Sequence, residues 1–509
     1  MRTPQEHQAT VSDESVKIQD RRLILQAQLR LELPMPEQDA DLPGRLEAGI
    51  ERGGQVLKRR LFQLAVEQAD AELILAKRHG KRGQGITCRG TTPLTFKTVF
   101  GTVQVRRRRI AHKADGTTEV PSAHAWQTPR QVVLTAGLRQ AACDGLLRDS
   151  AQQTGARIDA RADETGVLAK TTVLEIVHEE GQELQAAAHA RAEAVYERDP
   201  ETLRLFVPTS AQVEQGAEPG GPHDGDGEDE GEDEAATAPA LIGFPGGPTN
   251  HPEVERDHPR EVDPGVVLVE LDEVKVHAQA HTGRKEILAF TALVMIAGQC
   301  WHLAAASGRE LAYQVGALLA VLGVHRDERR LLVLADGARW IREWFEGLGI
   351  GDKTMIVCWW HVVKRCQQDL SRACRGREHR REVESALLHE RWHGRVDAAI
   401  KQLRSRSSEM RNVEVLEDLI GDLEARPSYL PDYEARRRAG LWIASNRVEK
   451  FNDWSVSARC KHQGMEWTEA GVLALATLEA ARCNGELSRW RTQHSLPAWK
   501  VKKGRKKVA

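Results

Sequence analysis

The stretch Val266-Val-Leu-Val-Glu-Leu-Asp-Glu-Val-Lys-Val276 predicts a long β-strand, because β-branched and other apolar residues fill most of it. Further apolar runs bounded by turn residues follow it and predict more strands, at 287–296, 300–305, 331–336 and 355–358. Between them, apolar residues at helical spacing predict helices at 311–324 and 338–348. Strands that alternate with helices indicate an α/β sheet.

Three acidic residues lie in or next to the predicted strands and helices, at positions that suit a catalytic site. Asp272 interrupts the first strand, Asp336 follows directly on a buried-looking strand, and Glu449 lies at the start of a predicted helix. Ligand sites in open α/β sheets collect at the carboxyl ends of strands. Carboxylate oxygens suit Mg²⁺ or Mn²⁺, and two such ions about 4 Å apart can clamp the oxygens of a phosphodiester. We therefore predict a catalytic metal site at these three residues.

Each acid also has a simpler explanation, which the sequence leaves open: a salt bridge, a tight turn or a helix cap. The partners would be Lys275 or Arg284 for Asp272, Gly337 for Asp336, and Asn446 for Glu449. Their order along the chain, strand Asp, strand-end Asp and helix Glu, favours the metal site.

The motifs around these acids carry a resemblance. They are Val269-Glu-Leu-Asp272, Leu334-Ala-Asp336-Gly-Ala338, Cys358-Trp-Trp-His361, and Ala444-Ser-Asn-Arg-Val-Glu449 with its sequel Lys461-His-Gln-Gly-Met-Glu-Trp467. In this order they resemble the RNase H-like DDE transposases of bacterial insertion sequences, in the branch related to mutator-like elements that carries a Cys/Asp-x-x-His signature. The resemblance covers 266–499. It departs at Asn446-Arg447, where a small residue is usual, and in the acidic tract at 223–234.

The resemblance implies Mg²⁺-dependent cleavage at transposon ends and joining of 3′ hydroxyls to target DNA. Asp272 would contact two ions, and Asp336 and Glu449 would hold one each. It also implies an RNase H-like α/β catalytic domain interrupted by an all-α insertion at 362–438, binding to terminal inverted repeats, a homo-oligomer and a cytoplasmic, nucleoid-associated location. Two alternatives stay open: an inactive or repurposed DNA-binding protein, and another RNase H-like nuclease.

Cys358 and His361 have the spacing of half a zinc site. More Cys and His residues follow, at Cys366, Cys374, His379, His389 and His393. Because the residues from 362 onward read as helix and no second close pair exists, we do not expect zinc. We expect a structural or phosphate-contacting role beside the acids, and a buried, hydrogen-bonded His361 is the alternative.

The N-terminal half predicts mostly helix with one β-hairpin. Leu23, Leu25, Leu29 and Leu31 fall loosely at helical spacing, the alternation on both sides of Gly101 predicts a hairpin at 96–109, and 128–197 reads as helical. Residues 163–178 fit a helix-turn-helix or an ordinary helical hairpin.

The chain as a whole divides into several predicted segments. They are a helical N-terminal region at 1–85, a hairpin plus helical DNA-binding domain at 86–205, an acidic disordered linker at 206–262, the catalytic domain at 263–361 and 439–499 around its insertion, and a basic tail at 500–509.

Charge is distributed unevenly. The net charge is −2, but 206–254 contains eleven acidic residues and no Lys or Arg, so the rest of the chain carries about +9. A basic body with a separate acidic segment indicates a polyanionic partner. We expect phosphate contacts from two groups of residues, Arg106, Arg107 and Arg108 in the hairpin, and Arg447, Lys450, Arg459, Lys461 and His462 around the third acid.

Composition excludes other classes. No run of about 18 apolar residues occurs and the mean hydropathy is −0.48, so we expect no membrane span. The eight cysteines form no disulfide framework, which favours a reducing compartment. No phosphate-binding loop or nucleophile motif appears, so the sequence does not point to ATP or to covalent catalysis.

Overall fold

The structure, a computed structural model, describes residues 8–19, 22–33, 42–79, 85–113, 115–128, 131–208, 265–326, 329–461 and 466–500. The chain forms two compact units, Met1–Glu180 and Gly181–Ala509. Nearly all of the predicted linker at 206–262, the predicted tail beyond Lys500 and His462 lie outside the described residues. Among the described helices, none is both long enough and apolar enough to cross a membrane.

The first unit contains two β-structures and several helices. Its elements are β1 (Gln8–Gln19), β2 (Arg22–Glu32), α1 (Leu42–His79), β3 (Ile86–Thr98), β4 (Gly101–His112), β5 (Thr118–Glu119), α2 (Pro121–Ala125), β6 (Val132–Leu134), α3 (Ala136–Leu146), α4 (Ala151–Ala162) and the first part of α5 (Lys170–Arg198). Strands β1 and β2 form an antiparallel pair, and a second sheet has the order β5-β4-β3-β6.

The prediction of a helix at Leu23–Leu31 is wrong, because these residues lie in β2. Leu23 pairs with Ile18, and Leu25 pairs with Val16. The leucines recur at steps of two or four, and Leu25, Leu29 and Leu31 are half-buried while their neighbours are exposed. A step of two is the period of a strand, which places one row of side chains on one face.

The predicted hairpin at Gly101 is confirmed. Thr98 pairs with Gly101, and Gly101 has φ of +112°, which favours glycine. Further on, α4 ends at Ala162 and α5 begins at Lys170, so two helices flank the predicted turn at Gly166. Ser150 and Gln153 form a capping box at the start of α4.

The second unit contains the remaining strands and helices. They are α6 (Pro200–Phe206), β7 (Val266–His277), β8 (Glu286–Ile296), β9 (Gln299–Ala305), α7 (Gly308–Val321), β10 (Arg330–Ala335), α8 (Arg339–Gly347), β11 (Lys353–Val357), α9 (Trp359–Ala373), α10 (Arg377–Trp392), α11 (Val396–Ser405), α12 (Val413–Glu424), α13 (Tyr433–Arg438), α14 (Asn446–Asn452), α15 (Ala458–Cys460), α16 (Glu469–Cys483) and α17 (Leu487–Gln493). A π-helical turn at Asp453–Ser457 joins α14 to α15.

The five strands of this unit form one mixed sheet in the order β11-β10-β7-β8-β9. Strands β7, β8 and β9 are antiparallel neighbours, whereas β10 runs parallel to both β7 and β11. Strand β10 is apolar and buried from Leu331 to Ala335, as expected for a strand that is covered on both faces. Between β11 and α14 the chain forms helices α9 to α13 and no strand, and α9 begins at Trp359, three residues before the predicted insertion.

The side chains of β7 and β10 alternate between two cores. Val267, Val269 and Leu271 pack in a cluster with residues of α7 and α8. Leu268 and Leu334 pack in a second cluster with residues of α9 to α12 and with Val448 of α14. The helices on both faces therefore cover the sheet, and the second face is the one toward which the even-numbered residues of these strands point.

Candidate active site

The first two acids lie on neighbouring parallel strands and on the same face. In the register of β7 and β10, Leu271 pairs with Ala335, and Asp272 and Asp336 each follow by one residue. Because strand side chains alternate, both acids point to the face of Leu268 and Leu334. The sequence prediction that Asp336 lies at the carboxyl end of a buried strand is confirmed, since β10 ends at Ala335.

Asp272 is held by hydrogen bonds from two other elements. Asn452 Nδ2, at the end of α14, donates to Asp272 Oδ2 at 2.6 Å, and the Glu273 amide donates to Oδ1 at 2.9 Å. Thr291 Oγ1 of β8, directly opposite Asp272 in the register, donates to Asn452 Oδ1 at 2.6 Å. The chain from Thr291 through Asn452 therefore fixes the orientation of the Asp272 carboxylate.

The salt bridges that could have explained Asp272 are absent. Lys275 Nζ lies 3.4 Å from Glu286, and Arg284 Nη1 lies 3.0 Å from Glu469. Each of these two cations therefore has another acidic partner. The simpler explanation of Asp272 as one half of a surface ion pair is wrong.

The helix that carries Glu449 is anchored to β7 by a residue that the sequence analysis did not identify. Glu270 Oε2 accepts hydrogen bonds from the amides of Arg447, at 3.1 Å, and Val448, at 2.9 Å. These amides belong to the first turn of α14, whose N–H groups have no partner within the helix. Glu270 is fully buried and two residues before Asp272, so it shares the face of the acids.

Glu449 does not serve as a helix cap. Asn446 is the first residue of α14, the preceding Ser445 makes no side-chain capping bond, and Glu270 takes the place of a cap. The Glu449 side chain is 30 % exposed, and its Oε1 atom lies 3.8 Å from His361 Nδ1 and 3.5 Å from Ser445 Oγ. The capping-box explanation for Glu449 is therefore wrong, and its carboxylate is directed toward the site.

Asp336 forms a tight turn with the two residues that follow it, next to Asp272 on the neighbouring strand. Its Oδ1 accepts a hydrogen bond from the Ala338 amide at 2.8 Å, and Gly337 between them has φ of +84°. A Cβ at Gly337 would lie 2.6 Å from the end of the flexible Arg426 side chain, so it is the positive φ rather than space that favours glycine here. Arg426 follows α12, so the helical segment between β11 and α14 places a largely buried guanidinium beside this turn.

The three acids influence one another electrostatically. The pKa of Asp272 is raised to about 7. Burial is the main cause, and the charges of Asp336 and Glu449 also contribute. Burial also raises the pKa of Glu449 to about 7; Lys364 opposes this rise, and Asp453 and Asp336 add to it. Like charges held together in a partly buried place each favour the protonated form of their neighbours. The structure therefore places Asp272 and Asp336 side by side on adjacent strands, whereas Glu449 has its ligand atom within 4.8 Å of those of Cys358 and His361. Among the described residues, the three acids do not form a group of that compactness.

The donor set fits a divalent cation with a preference for oxygen. Asp272, Asp336 and Glu449 offer carboxylate oxygens, which are the ligands that Mg²⁺ and Mn²⁺ prefer. A cation would relieve the mutual repulsion that raises the pKa of Asp272. These three residues would hold it.

Cys358 and His361 lie at the junction of β11 and α9, because the strand predicted at 355–358 ends at Val357 and the helix begins at Trp359. Cys358 precedes the first residue of α9, is fully buried, and its Sγ accepts a hydrogen bond from the Ser445 amide at 3.3 Å. One ligand atom from each of Cys358, His361 and Glu449 lies within 4.8 Å of the others. Burial raises the pKa of the Cys358 thiol to about 11. The signature pair is thus in contact with the third acid.

The basic residues predicted around the third acid differ in exposure. Lys450 is exposed with its ammonium over the ring of Trp454, and Lys461 is also exposed. The Arg447 guanidinium stacks on Trp442, 4.7 Å from the ring centroid. Arg459 is buried. Among the described residues of this predicted set, Lys450 and Lys461 are exposed, Arg447 is half-buried and Arg459 is buried.

The basic residues of the hairpin also differ in exposure. Arg106 and Arg108 are exposed on β4, whereas Arg107 between them is buried and donates to Thr128 Oγ1 at 3.1 Å. Burial lowers the pKa of Arg107. The prediction of three equivalent phosphate contacts is therefore wrong for Arg107, because the alternation of β4 turns it inward.

Comparisons with known proteins add no relative: no family model matches the chain, and no curated protein matches it.

Proposed function

We propose that this chain is a metal-dependent polynucleotidyl transferase of the DDE transposase type. It would cleave phosphodiesters at the ends of a mobile element and join the 3′ hydroxyls to target DNA. The observation that supports the proposal is that Asp272 and Asp336 follow a paired position of two parallel strands, while Asn452, on the same helix as Glu449, donates a hydrogen bond to Asp272. The strand order, with three antiparallel strands followed by two parallel ones, fits the RNase H-like fold that the sequence resemblance implies.

The residues of the chain have distinct roles in this proposal. The three carboxylates would hold Mg²⁺ or Mn²⁺, which when bound would activate the attacking hydroxyl and stabilise charge on the leaving oxygen. Asn452 and Thr291 hold Asp272 in one orientation, and Glu270 holds the helix of Glu449 against the strand of Asp272. Such supporting hydrogen bonds keep a metal site within the narrow tolerance that catalysis needs.

The exposed groups beside the acids suit a nucleic-acid substrate. Lys450 and Lys461 can contact phosphates, and Trp454 is 52 % exposed, which is unusual for a large aromatic residue. Exposed Arg106 and Arg108 give the first unit a basic strand face. We therefore propose double-stranded DNA as the partner, with element terminal repeats and target as its two forms, and a homo-oligomer in a cytoplasmic, nucleoid-associated location as the resemblance implies.

The test is cleavage of DNA by the purified full chain. A supercoiled plasmid carrying the DNA that flanks the coding sequence on both sides is incubated with Mg²⁺ and the wild type, Asp272→Asn or the control Asp352→Asn. Asp352 precedes β11, at the end of the parallel strands opposite to the acids, and lies 3.0 Å from Arg330. We expect Asp272→Asn to bind DNA without nicking it, while Asp352→Asn cleaves like the wild type.

Three results would contradict the proposal in different ways. Undiminished cleavage by Asp272→Asn would remove the metal trio from the reaction. Wild-type protein that shifts the flanking DNA but never nicks it with any divalent ion would favour the DNA-binding alternative. Faster cleavage of an RNA–DNA hybrid than of duplex DNA would favour another RNase H-like nuclease.

A further inference from the structure

We propose that Cys358, His361 and Glu449 form a second cation site, selective for a thiophilic ion such as Zn²⁺, whose occupation withdraws Glu449 from the Mg²⁺ trio. The competition between the two sites rests on the proposed function, whereas the existence of the Zn²⁺ site does not. The sequence offered only half of such a site, because its third ligand comes from a helix almost ninety residues further along the chain.

The backbone places two of the ligands side by side. Cys358 immediately precedes α9 and His361 lies in its first turn, three residues on, so both side chains occupy one side of the helix start. The Ser445 amide, which donates to Cys358 Sγ at 3.3 Å, ties the beginning of α14 to the same point. Glu449 follows one turn later along α14 and so reaches the pair.

The distances suit a tetrahedral ion after small shifts. His361 Nδ1 and Glu449 Oε1 are 3.8 Å apart, and all three ligand atoms lie within 4.8 Å of one another. A Zn²⁺ ion with bonds of about 2.0–2.3 Å places neighbouring ligands about 3.3–3.8 Å apart. A contraction of about 1 Å by side-chain rotation would therefore be enough.

His361 supplies an independent indication. Its Nδ1 atom is buried and has no hydrogen-bond partner among the described residues, although the side chain as a whole keeps 18 % of its surface exposed. A buried ring nitrogen without a partner is costly, and a bound ion is one of the standard explanations. The exposed part of His361 and the exposed part of Glu449 leave a path from solvent.

The chemistry of the ligands separates the two sites. A thiolate and an imidazole select Zn²⁺ or Co²⁺, whereas Mg²⁺ requires oxygen ligands. Glu449 is the one residue common to both sets. With sulfur and nitrogen on one side and the carboxylates of Asp272 and Asp336 on the other, it can complete only one coordination sphere at a time.

The first experiment measures the site without any DNA. The full chain is titrated with Co²⁺, and the thiolate-to-cobalt charge-transfer absorption is recorded. We expect one Co²⁺ per chain, displaced by Zn²⁺, and affinity at least tenfold weaker in both Cys358→Ser and His361→Gln. Cys366→Ser, a buried cysteine of the same helix outside the cluster, is the matched control and should keep the absorption. Two variants with different side chains, each checked by thermal unfolding, guard against a loss that is due to misfolding.

The second experiment tests the competition. Free Mn²⁺ is measured by electron paramagnetic resonance in the presence of the chain, with and without one equivalent of Zn²⁺. We expect Zn²⁺ to release bound Mn²⁺ from the wild type and not from Cys358→Ser. Absence of the cobalt absorption, or its persistence in both ligand variants, would overturn the site, and Mn²⁺ binding unaffected by Zn²⁺ would overturn the competition. If the cobalt absorption is present but the chain never cleaves DNA, only the proposed function fails.

Discussion

The two faces of the five-stranded sheet differ in what they bury. On one face, Val267, Val269 and Leu271 pack in an apolar cluster with residues of α7 and α8. On the other, Leu268 is followed in the same row by Glu270 and Asp272, two carboxyl groups that burial makes harder to ionise. The first face contributes stability through apolar burial, whereas the second gives up stability to hold charges in place. The comparison indicates that the proposed site lies on the face where burial of carboxyl groups costs stability.

The largest expected loss of stability comes from creating a cavity in the apolar cluster on the first face. Trp344 of α8 is fully buried in that cluster, and its Nε1 donates to the Phe206 carbonyl at 3.2 Å. Trp344→Ala should lower the free energy of unfolding by about 3–5 kcal/mol, because it leaves a large cavity and an unpaired carbonyl. Denaturant unfolding of the second-unit transition measures it. A loss below about 1 kcal/mol would mean that this face is not a packed core.

On the polar face, removal of the anchor of α14 should have the next largest effect. Glu270→Ala leaves the amides of Arg447 and Val448 buried without an acceptor, at a cost of about 1–3 kcal/mol. Glu270→Gln keeps an acceptor and should recover most of that loss. Because Glu449 depends on the same helix, the increase in melting temperature on adding Mg²⁺ should shrink in Glu270→Ala and return in Glu270→Gln. Equal Mg²⁺ responses in the two variants would show that Glu270 does not position Glu449.

The charge on the polar face should make stability depend on pH. In the folded chain the pKa of Asp272 is raised to about 7, above its ordinary value of 3.8. Between these two pH values the folded state keeps a proton on Asp272 that the unfolded state has lost. The resulting stability is fully present below about pH 4 and is lost as pH rises through about 7.

Asp272→Asn should therefore be more stable than the metal-free wild type at pH 8, on the order of 1–3 kcal/mol, and similar to it at pH 4. Thermal unfolding at both pH values, in chelator, measures the difference. Addition of Mg²⁺ at pH 8 should stabilise the wild type and leave Asp272→Asn almost unchanged. A variant that is less stable than the wild type at pH 8 would contradict the raised pKa.

The smallest effect on stability is expected at the edge of the polar face. Trp454 is 52 % exposed beside Lys450, so Trp454→Ala should change the free energy of unfolding by no more than about 0.5 kcal/mol, in contrast to Trp344→Ala. If Trp454 stacks on a base, its loss should weaken DNA binding by about 1–3 kcal/mol. Fluorescence anisotropy with a labelled duplex measures this, and an unchanged dissociation constant would remove Trp454 from the DNA surface.

Local pattern was sufficient wherever a residue's neighbours in sequence decide its conformation. The apolar run before Asp336 predicts its strand, and Gly101 marks its hairpin, because alternation and turn chemistry act over a few residues. The same reasoning misread Leu23–Leu31, where a mixture of two- and four-residue steps fits a helix loosely and a strand better. Arg107 and Arg459 were both expected to contact phosphates, but packing buries them.

The order of the three acids and the motifs around them could be taken from the chain alone, since each depends on short-range residue types. The contacts that anchor α14 to β7 could not be predicted from the sequence, because the hydrogen bonds of Glu270 and Asp272 to α14 join residues 177 to 180 positions apart. Whether Cys358 and His361 acquire a third ligand depended equally on where α14 is anchored. The reason is physical: side-chain periodicity is a local property of the backbone, whereas the meeting of distant side chains depends on how the helices pack on the sheet.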